Sequence, residues 1–238
     1  MPTYTRFALY YAPEPGPIAD FAAGWLGWDP ATGAAKAHPD LPGLPRPIAA
    51  MTAEPRKYGF HATLKAPFRL APGQSTAALA EAVERLAGIL PPLHLQGIAL
   101  THLDGFLALT PMGATEALEA FAQTIVEALD RFRAPLARAE LQRRLASPLT
   151  LRQRLLLDQW GYPYVSEQFR FHLTLTGRLP TVEAAQTAAV LSPLLAPLLP
   201  APYALSSLCL FAEVDGGLFH ILHRFGLKGR IQPQNGPS

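Results

Sequence analysis

The apolar pattern of the chain opens with a strand and a short helix. Residues 5–11 are rich in aromatic and aliphatic side chains and predict a β-strand, and the apolar spacing over 18–26 predicts a helix. Residues 27–55 contain many prolines and glycines without a sustained period, so they predict loops.

A strand, a helix and a hairpin are predicted next. Residues 58–68 predict a strand, and Ser75 is placed to cap a helix over 75–90 with apolar residues on one face. That face consists of Leu79, Val83, Leu86 and Leu90. Apolar runs on both sides of Asp104-Gly105 predict a hairpin, because this dipeptide is typical of tight turns.

The same order of elements returns later in the chain. Helical patterns occupy much of 115–160, after which residues 169–176 predict a second motif strand and 182–199 a second helix. Apolar runs around Asp215-Gly216 predict a second hairpin.

These two segments form an internal repeat. The string FHATL at 60–64 recurs as FHLTL at 171–175, a shift of 111 residues, and the two predicted turns are separated by the same shift. Two features with one spacing indicate a duplicated strand-helix-hairpin unit, at about 58–110 and about 168–226. Pseudo-twofold packing of the units would bring the two motif strands together.

Each motif strand carries one polar face. Side chains alternate along a strand, so His61 and Thr63 point the same way, about 7 Å apart, while their neighbours enter the packed layer. His172 and Thr174 repeat this arrangement. A strand covered on both faces would not place histidine and threonine in this way twice.

Two imidazoles in one cleft suit phosphoester chemistry. A neutral ring can take a proton from water and a protonated ring can give one to the leaving oxygen, and both forms exist near neutral pH. Threonine hydroxyls and backbone amides can donate hydrogen bonds to the non-bridging oxygens. This scheme requires no metal, and we expect neither a metal nor another cofactor.

The motifs resemble those of the two-histidine (2H) phosphoesterase superfamily, which is marked by paired His-x-Thr-x sequences, here HATL at 61–64 and HLTL at 172–175. The longer strings YGFHATLKAPF, FRFHLTLTG, RFALYYAP and WGYPYV are similar to an uncharacterised bacterial branch associated with phosphonate-utilisation operons. The resemblance implies acid/base roles for His61 and His172 and phosphate binding by Thr63 and Thr174. It leaves open which histidine is the acid.

The resemblance also implies an α+β fold with two lobes around a central cleft, built here from the two pseudo-symmetric units. We expect residues 1–227 to form a single bilobed phosphoesterase domain and the polar segment 228–238 to be a disordered tail.

Five further residues are candidate substrate contacts. Lys65 and Arg170 extend the motif strands and would hold a second phosphate or carboxylate if neither strand contains a bulge, although both could be solvated strand ends. Tyr10 on the first strand and Tyr58 beside the first motif could line the cleft. Tyr162, in the WGYPYV loop, could belong to a lid or a base-stacking platform, or simply pack.

Composition and charge narrow the choice of partners. The 238 residues are 49% hydrophobic and 16% charged, which is typical of a folded globule, and the formal charge of +2 does not indicate general duplex binding. Arginines around 131–154 form the densest positive region, either a solvated helix face or an electrostatic funnel. The lone Cys209 and the absence of a long apolar segment predict a cytoplasmic protein without membrane contact.

The sequence therefore predicts a metal-independent phosphoesterase acting on a small cyclic phosphate, for which a ribose cyclic phosphate with a second phosphate is one candidate. One alternative is RNA-end processing, with 2′,3′-cyclic phosphate or 2′,5′-linkage chemistry; nucleic acid is thus a partner that the sequence allows but does not favour. A second alternative is a phosphate-ligand sensor without turnover. No phosphate-loop or dinucleotide-binding fingerprint is present, and no sequence feature indicates an oligomeric state.

Overall fold

A computed structural model describes residues 3–214 and 217–230 of the chain. It confirms the α+β class. The strands are β1 (Tyr4–Tyr11), β2 (Trp28–Asp29), β3 (Ala34–Ala35), β4 (Ala62–Phe68), β5 (Leu93–Leu95), β6 (Ile98–Leu103), β7 (Phe106–Pro111), β8 (Leu173–Thr174), β9 (Tyr203–Leu205), β10 (Ser207–Val214) and β11 (Phe219–Gly226).

The helices alternate with these strands. They are α1 (Pro17–Leu26), α2 (Ile48–Met51), α3 (Ala53–Arg56), α4 (Thr76–Ile89), α5 (Glu116–Ala128), α6 (Arg138–Leu145), α7 (Leu151–Trp160) and α8 (Thr181–Leu195), with 3-10 turns at Asp130–Phe132, Ser166–Gln168 and Ala196–Leu198. Within the described ranges, no helix combines the length and apolar character needed to cross a membrane.

Two antiparallel sheets hold the two motif strands. The large sheet has the order β11-β10-β1-β4 and the small sheet has the order β6-β7-β8. Short pairs β2-β3 and β5-β9 complete the strand pairing. The first motif strand, β4, is therefore an edge of the large sheet, and the second, β8, is an edge of the small sheet.

The two repeat units exchange their hairpins. The first unit supplies β4 and α4 to the large sheet, where α4 packs on the second unit's hairpin, β10-β11. The second unit supplies β8 and α8 to the small sheet, where α8 packs on the first unit's hairpin, β6-β7. Each lobe is thus built from both units, and one apolar core runs through both sheets.

Local sequence explains how these elements begin and pack. The Ser75 hydroxyl accepts a hydrogen bond from the Ala78 amide at 3.1 Å, which confirms the predicted cap of α4. Of the predicted apolar face, Leu79, Val83 and Leu86 are buried. In α1, the fully buried Trp25 donates from Nε1 to the carbonyl of Leu175 at 2.8 Å, tying this helix to the end of the second motif.

Both motif strands are shorter than the sequence pattern predicts. The first begins only at Ala62, because the preceding Gly59 has a φ of 70°, a left-handed conformation that ends extended pairing. The second is confined to Leu173–Thr174. Within the region predicted as loop, 27–55, the chain forms two short strands and two single-turn helices. The predicted turn at 215–216 and the tail from 231 onward lie outside the described residues.

Candidate active site

The two motifs line one cleft. A cavity of about 430 Å³ is bordered by His61, Thr63, His172 and Thr174. An adjoining cavity of about 410 Å³ shares Thr63 and His172 with it. The structure thus brings together the four residues to which the sequence assigns the main chemistry.

His61 is oriented by the turn that precedes β4. Its Nδ1 lies 2.9 Å from the carbonyl oxygen of Gly59, and because a carbonyl only accepts, Nδ1 carries the proton and Nε2 remains a base. The Thr63 hydroxyl lies 3.4 Å from this Nε2. The ring also stacks on Tyr10, with centroids 3.9 Å apart.

His172 has the same anchoring. Its Nδ1 lies 2.7 Å from the carbonyl oxygen of Arg170, two residues earlier, so its Nε2 is again the unprotonated nitrogen of the neutral ring. Phe106, from the first unit's hairpin, lies against this ring at a centroid distance of 5.6 Å. The repeat therefore preserves the hydrogen bond and the tautomer as well as the residue types.

Burial favours the neutral form of both imidazoles. It lowers the pKa of His61 to about 4, against the opposing hydrogen bond to Gly59, and the nearby His172 lowers this pKa further. Burial also lowers the pKa of His172, where the Arg170 charge adds to the effect and the Asp104 carboxylate opposes it. The rings influence each other electrostatically, as expected for an acid/base pair in one cleft.

The two motif threonines border the main cavity, as does Thr176, two residues after Thr174. Thr176 is fully buried, and its hydroxyl accepts a hydrogen bond from the Leu107 amide at 3.0 Å, which ties it to the small sheet.

The three candidate tyrosines line the main cavity. Tyr10 is buried beneath His61, and burial raises its pKa well above the usual value, so it stays a neutral phenol. Tyr58 lies 5.7 Å from the His61 ring and packs on Phe219 at 5.1 Å. Burial also raises the pKa of Tyr162 to about 12. Their substrate contacts remain predictions.

The predicted placement of Lys65 in the cleft is wrong. Its side chain is 3% exposed, and its Nζ donates to the carbonyl of Val126 and to Asp130, each at 3.1 Å. The reason is a pair of irregularities in the pairing of β4 with β1, between Thr63 and Lys65 and between Lys65 and Phe68. They break the alternation, so Ala66 and Pro67 border the cavity instead.

Arg170 stands at the rim rather than inside the main cavity. Its side chain is 67% exposed, its Nη1 lies 3.1 Å from Asp104, and it borders the adjoining cavity but not the main one. Its backbone carbonyl, which holds His172, has the clearer role in the site.

Three arginines also line the main cavity: Arg6, Arg144 and Arg178. Alternation along β1 predicts Arg6 on the same face as Tyr10, and both residues border the cavity. Arg144 belongs to the basic region at 131–154 that was noted in the sequence, and its side chain borders the cleft. Arg178 is brought in by the turn after β8 and had no local signal.

No group of three or more histidine, cysteine, aspartate or glutamate side chains is arranged to hold a metal ion within 3–214 and 217–230.

The chain belongs to the family described as "Protein of unknown function (DUF1045)", whose model matches residues 63–220. Two curated relatives carry the name ribose 1,5-bisphosphate phosphokinase PhnN. The relative from Janthinobacterium sp. (strain Marseille) is 39% identical over 182 residues, and the one from Laribacter hongkongensis (strain HLHK9) is 36% identical over 179 residues. These alignments cover 76% and 75% of this chain but only 40% and 41% of the relatives.

Similar solved structures include TT0787 of Thermus thermophilus, with 15% identity, a TM-score of 0.45 and coverage of 95% of this chain and 100% of that one. Escherichia coli LigT complexed with NADP+ has 14% identity, a TM-score of 0.42 and coverage of 95% and 99%. A protein described as a phosphoesterase has 15% identity, a TM-score of 0.39 and coverage of 94% and 98%. These TM-scores are too low to assign the fold, which rests on the strand order above.

The position of Lys65 predicts a structural role. We expect Lys65→Ala to lower the free energy of unfolding by about 2–4 kcal/mol, because it empties buried space and removes two buried hydrogen bonds. The affinity for inorganic phosphate should be unchanged. Urea denaturation and calorimetric titration measure the two quantities.

The matched control is Lys36→Ala, which removes a half-exposed pair with Asp29 and should cost about 0–1 kcal/mol. Weaker phosphate binding by Lys65→Ala at unchanged stability would contradict the structural role.

Proposed function

We propose that this chain is a phosphoesterase that hydrolyses a small cyclic phosphate by paired histidine acid/base catalysis, without a metal. The observation that carries the proposal is the matched anchoring of His61 and His172. Both border one cavity, and each uses Nδ1 to bond a carbonyl, which leaves Nε2 for proton transfer.

The reaction follows from this arrangement. One Nε2 accepts a proton from a water molecule, whose oxygen forms the new bond to phosphorus. The bond between phosphorus and the leaving oxygen breaks with its electron pair, and the protonated Nε2 of the other ring gives that oxygen a proton. A cyclic ester thereby becomes one molecule with a phosphate monoester and a hydroxyl group, and solvent exchange restores the starting protonation.

We assign the base role to His61 and the acid role to His172. His61 is stacked on the buried Tyr10 and its pKa is lowered to about 4, so it is neutral and ready to accept a proton. Burial also lowers the pKa of His172 and the Arg170 charge adds to this, but the hydrogen bond to the Arg170 carbonyl and the Asp104 carboxylate oppose the shift, so His172 is the ring we assign as the imidazolium.

The remaining cleft residues supply stabilisation of negative charge. The hydroxyls of Thr63 and Thr174 border the same cavity as the histidines and can donate to the non-bridging oxygens of the reacting phosphate. Arg6, Arg144 and Arg178 give the cavity an excess of positive charge that attracts an anionic substrate.

A small sugar phosphate suits the site better than RNA. The cavity of about 430 Å³ is of the size that holds a small molecule. The curated relatives are named for a kinase of ribose 1,5-bisphosphate, and the matched part is about 40% of each relative. Since this chain lacks a phosphate-loop motif, we attribute the kinase activity to the remainder of those proteins. To the part that resembles this chain we attribute the hydrolysis of a related ribose phosphate.

The RNA-end and sensor alternatives differ in what they predict. RNA processing requires activity on oligonucleotides and binding that weakens steeply with salt. A sensor would bind phosphates tightly without turnover. A comparison of ribose cyclic phosphates, nucleoside 2′,3′-cyclic phosphates and short RNAs in EDTA separates the three functions.

If His61 is the base and His172 the acid, the loss of kcat/KM in each alanine variant should depend on the leaving group. On an alkyl cyclic phosphate in EDTA, His61→Ala and His172→Ala should each lose about 10²–10⁴-fold in kcat/KM. On methyl p-nitrophenyl phosphate, whose leaving nitrophenolate needs no proton, His172→Ala should lose less than about tenfold while His61→Ala keeps its full loss.

The exposed His102, outside both cavities, provides the control: His102→Ala should behave as wild type on both substrates. Equal losses of both histidine variants on both substrates would contradict the assignment, and chelator-sensitive turnover would contradict metal independence.

The pKa shifts predict an acidic pH optimum. The free enzyme is active when His61 is neutral and His172 is protonated, so kcat/KM should rise through about pH 4 and fall through a pKa below 6.5. Asp104→Asn removes a charge that raises the pKa of His172 and should move the alkaline limb to lower pH. Arg170→Gln removes a charge that lowers it and should move the limb to higher pH. Shifts in the same direction in both variants would contradict the acid role of His172.

A further inference from the structure

The three cleft arginines are held in different ways. Arg6 donates from Nε and Nη2 to the carboxylate of Glu213 at 2.6 and 2.8 Å, a short bidentate pair, although Lys57 also contacts this carboxylate at 3.0 Å. Arg178 is exposed and donates from Nη1 to the backbone carbonyl of Asp104 at 2.8 Å. Of the three arginines, only Arg144 has a buried side-chain nitrogen without a hydrogen-bond partner among the described residues.

Arg144 shares its carboxylate partner. Its Nη2 lies 3.4 Å from Glu140, whose other oxygen accepts from Arg69 at 2.9 Å. One carboxylate therefore faces two cations. The Arg144 side chain is 18% exposed, and its Nε is buried with no hydrogen-bond partner in the part of the chain that the structure describes. A guanidinium whose carboxylate partner is shared and lies 3.4 Å away can take a further anionic partner.

Tyr162 fixes the direction of this guanidinium. The Arg144 group lies over the Tyr162 ring at 5.1 Å from its centroid, while Tyr164 packs at the same ring with centroids 5.5 Å apart. The face of Tyr162 that could stack a base is thus occupied by an arginine. The aromatic loop acts here as a support for a cation that borders the reaction cavity.

We propose that Arg144 binds a second phosphate of the substrate, separate from the ester that reacts at His61 and His172. This inference rests on the proposed function and names its substrate class: a small cyclic phosphate with an additional phosphate monoester. The planar guanidinium borders the cavity and shares its carboxylate with Arg69, so it is suited to bind phosphate through more than one hydrogen bond.

The charges around the cavity favour Arg144 over Arg178 for this role. Glu54 is the acidic residue among those bordering the main cavity, and its carboxylate lies against Gly177, the neighbour of Arg178. A phosphate beside Arg178 would meet this negative charge. On the Arg144 side, two cations, Arg69 and Arg144, share the single carboxylate of Glu140. This side therefore has an excess of positive charge.

The test uses two ribose cyclic phosphates that differ only in a 5-phosphate. Wild type should prefer the 5-phosphorylated compound by at least about tenfold in kcat/KM. Arg144→Ala should abolish this preference, because its loss of kcat/KM should be at least about tenfold larger on the 5-phosphorylated compound than on the compound without it. Arg144→Lys keeps the charge but not the planar fork and should restore only part of the preference. The control, Arg143→Ala, removes an exposed arginine from the same helix and should keep the full preference.

A binding measurement separates this proposal from the proposed function. Calorimetric titration with ribose 5-phosphate should show at least about tenfold weaker binding by Arg144→Ala than by wild type and Arg143→Ala, even if neither cyclic compound is hydrolysed. If ribose 5-phosphate binding differs in this way but neither cyclic compound is hydrolysed, the hydrolase function is overturned and the second phosphate site stands. A preference retained in Arg144→Ala, or equal binding of ribose 5-phosphate by both proteins, would overturn the second phosphate site.

Discussion

The site depends on a hydrogen bond between each motif imidazole and the carbonyl two residues before it. For His61 the acceptor is Gly59, whose φ of 70° and contact with Pro30, 2.6 Å from where a Cβ would lie, require glycine. For His172 it is Arg170. Because a carbonyl cannot donate, these bonds determine the tautomer and leave Nε2 as the reactive nitrogen in both halves of the cleft.

The exchange of hairpins explains why two local motifs form one site. Each motif strand is an edge strand, and the neighbours of its histidine come from sequence-distant elements: Tyr10 and Phe211 beside His61, and Phe106 beside His172. These aromatic residues desolvate the rings and lower the pKa of both. A chain cut between the repeats would separate each hairpin from the motif strand of its sheet.

The features predicted best from the sequence are those set by local rules. Strand alternation predicted that His61 and Thr63 point the same way, and their side chains lie 3.4 Å apart. Ser75 was predicted to cap α4, and it does. The same alternation failed for Lys65, because pairing irregularities after Thr63 reverse the side-chain direction. Arg144 could not be assigned because its position at the cleft depends on packing against Tyr162, a tertiary contact.

The central claim is that both imidazoles present Nε2 to one bound phosphate. Nitrogen-15 NMR of the labelled histidine rings tests it directly at neutral pH, with signals assigned from His61→Gln and His172→Gln variants. We expect both rings in the Nδ1–H tautomer, and both Nε2 signals to shift with a single affinity as inorganic phosphate is added. A ring in the Nε2–H tautomer, or a response confined to one histidine, would contradict the paired mechanism.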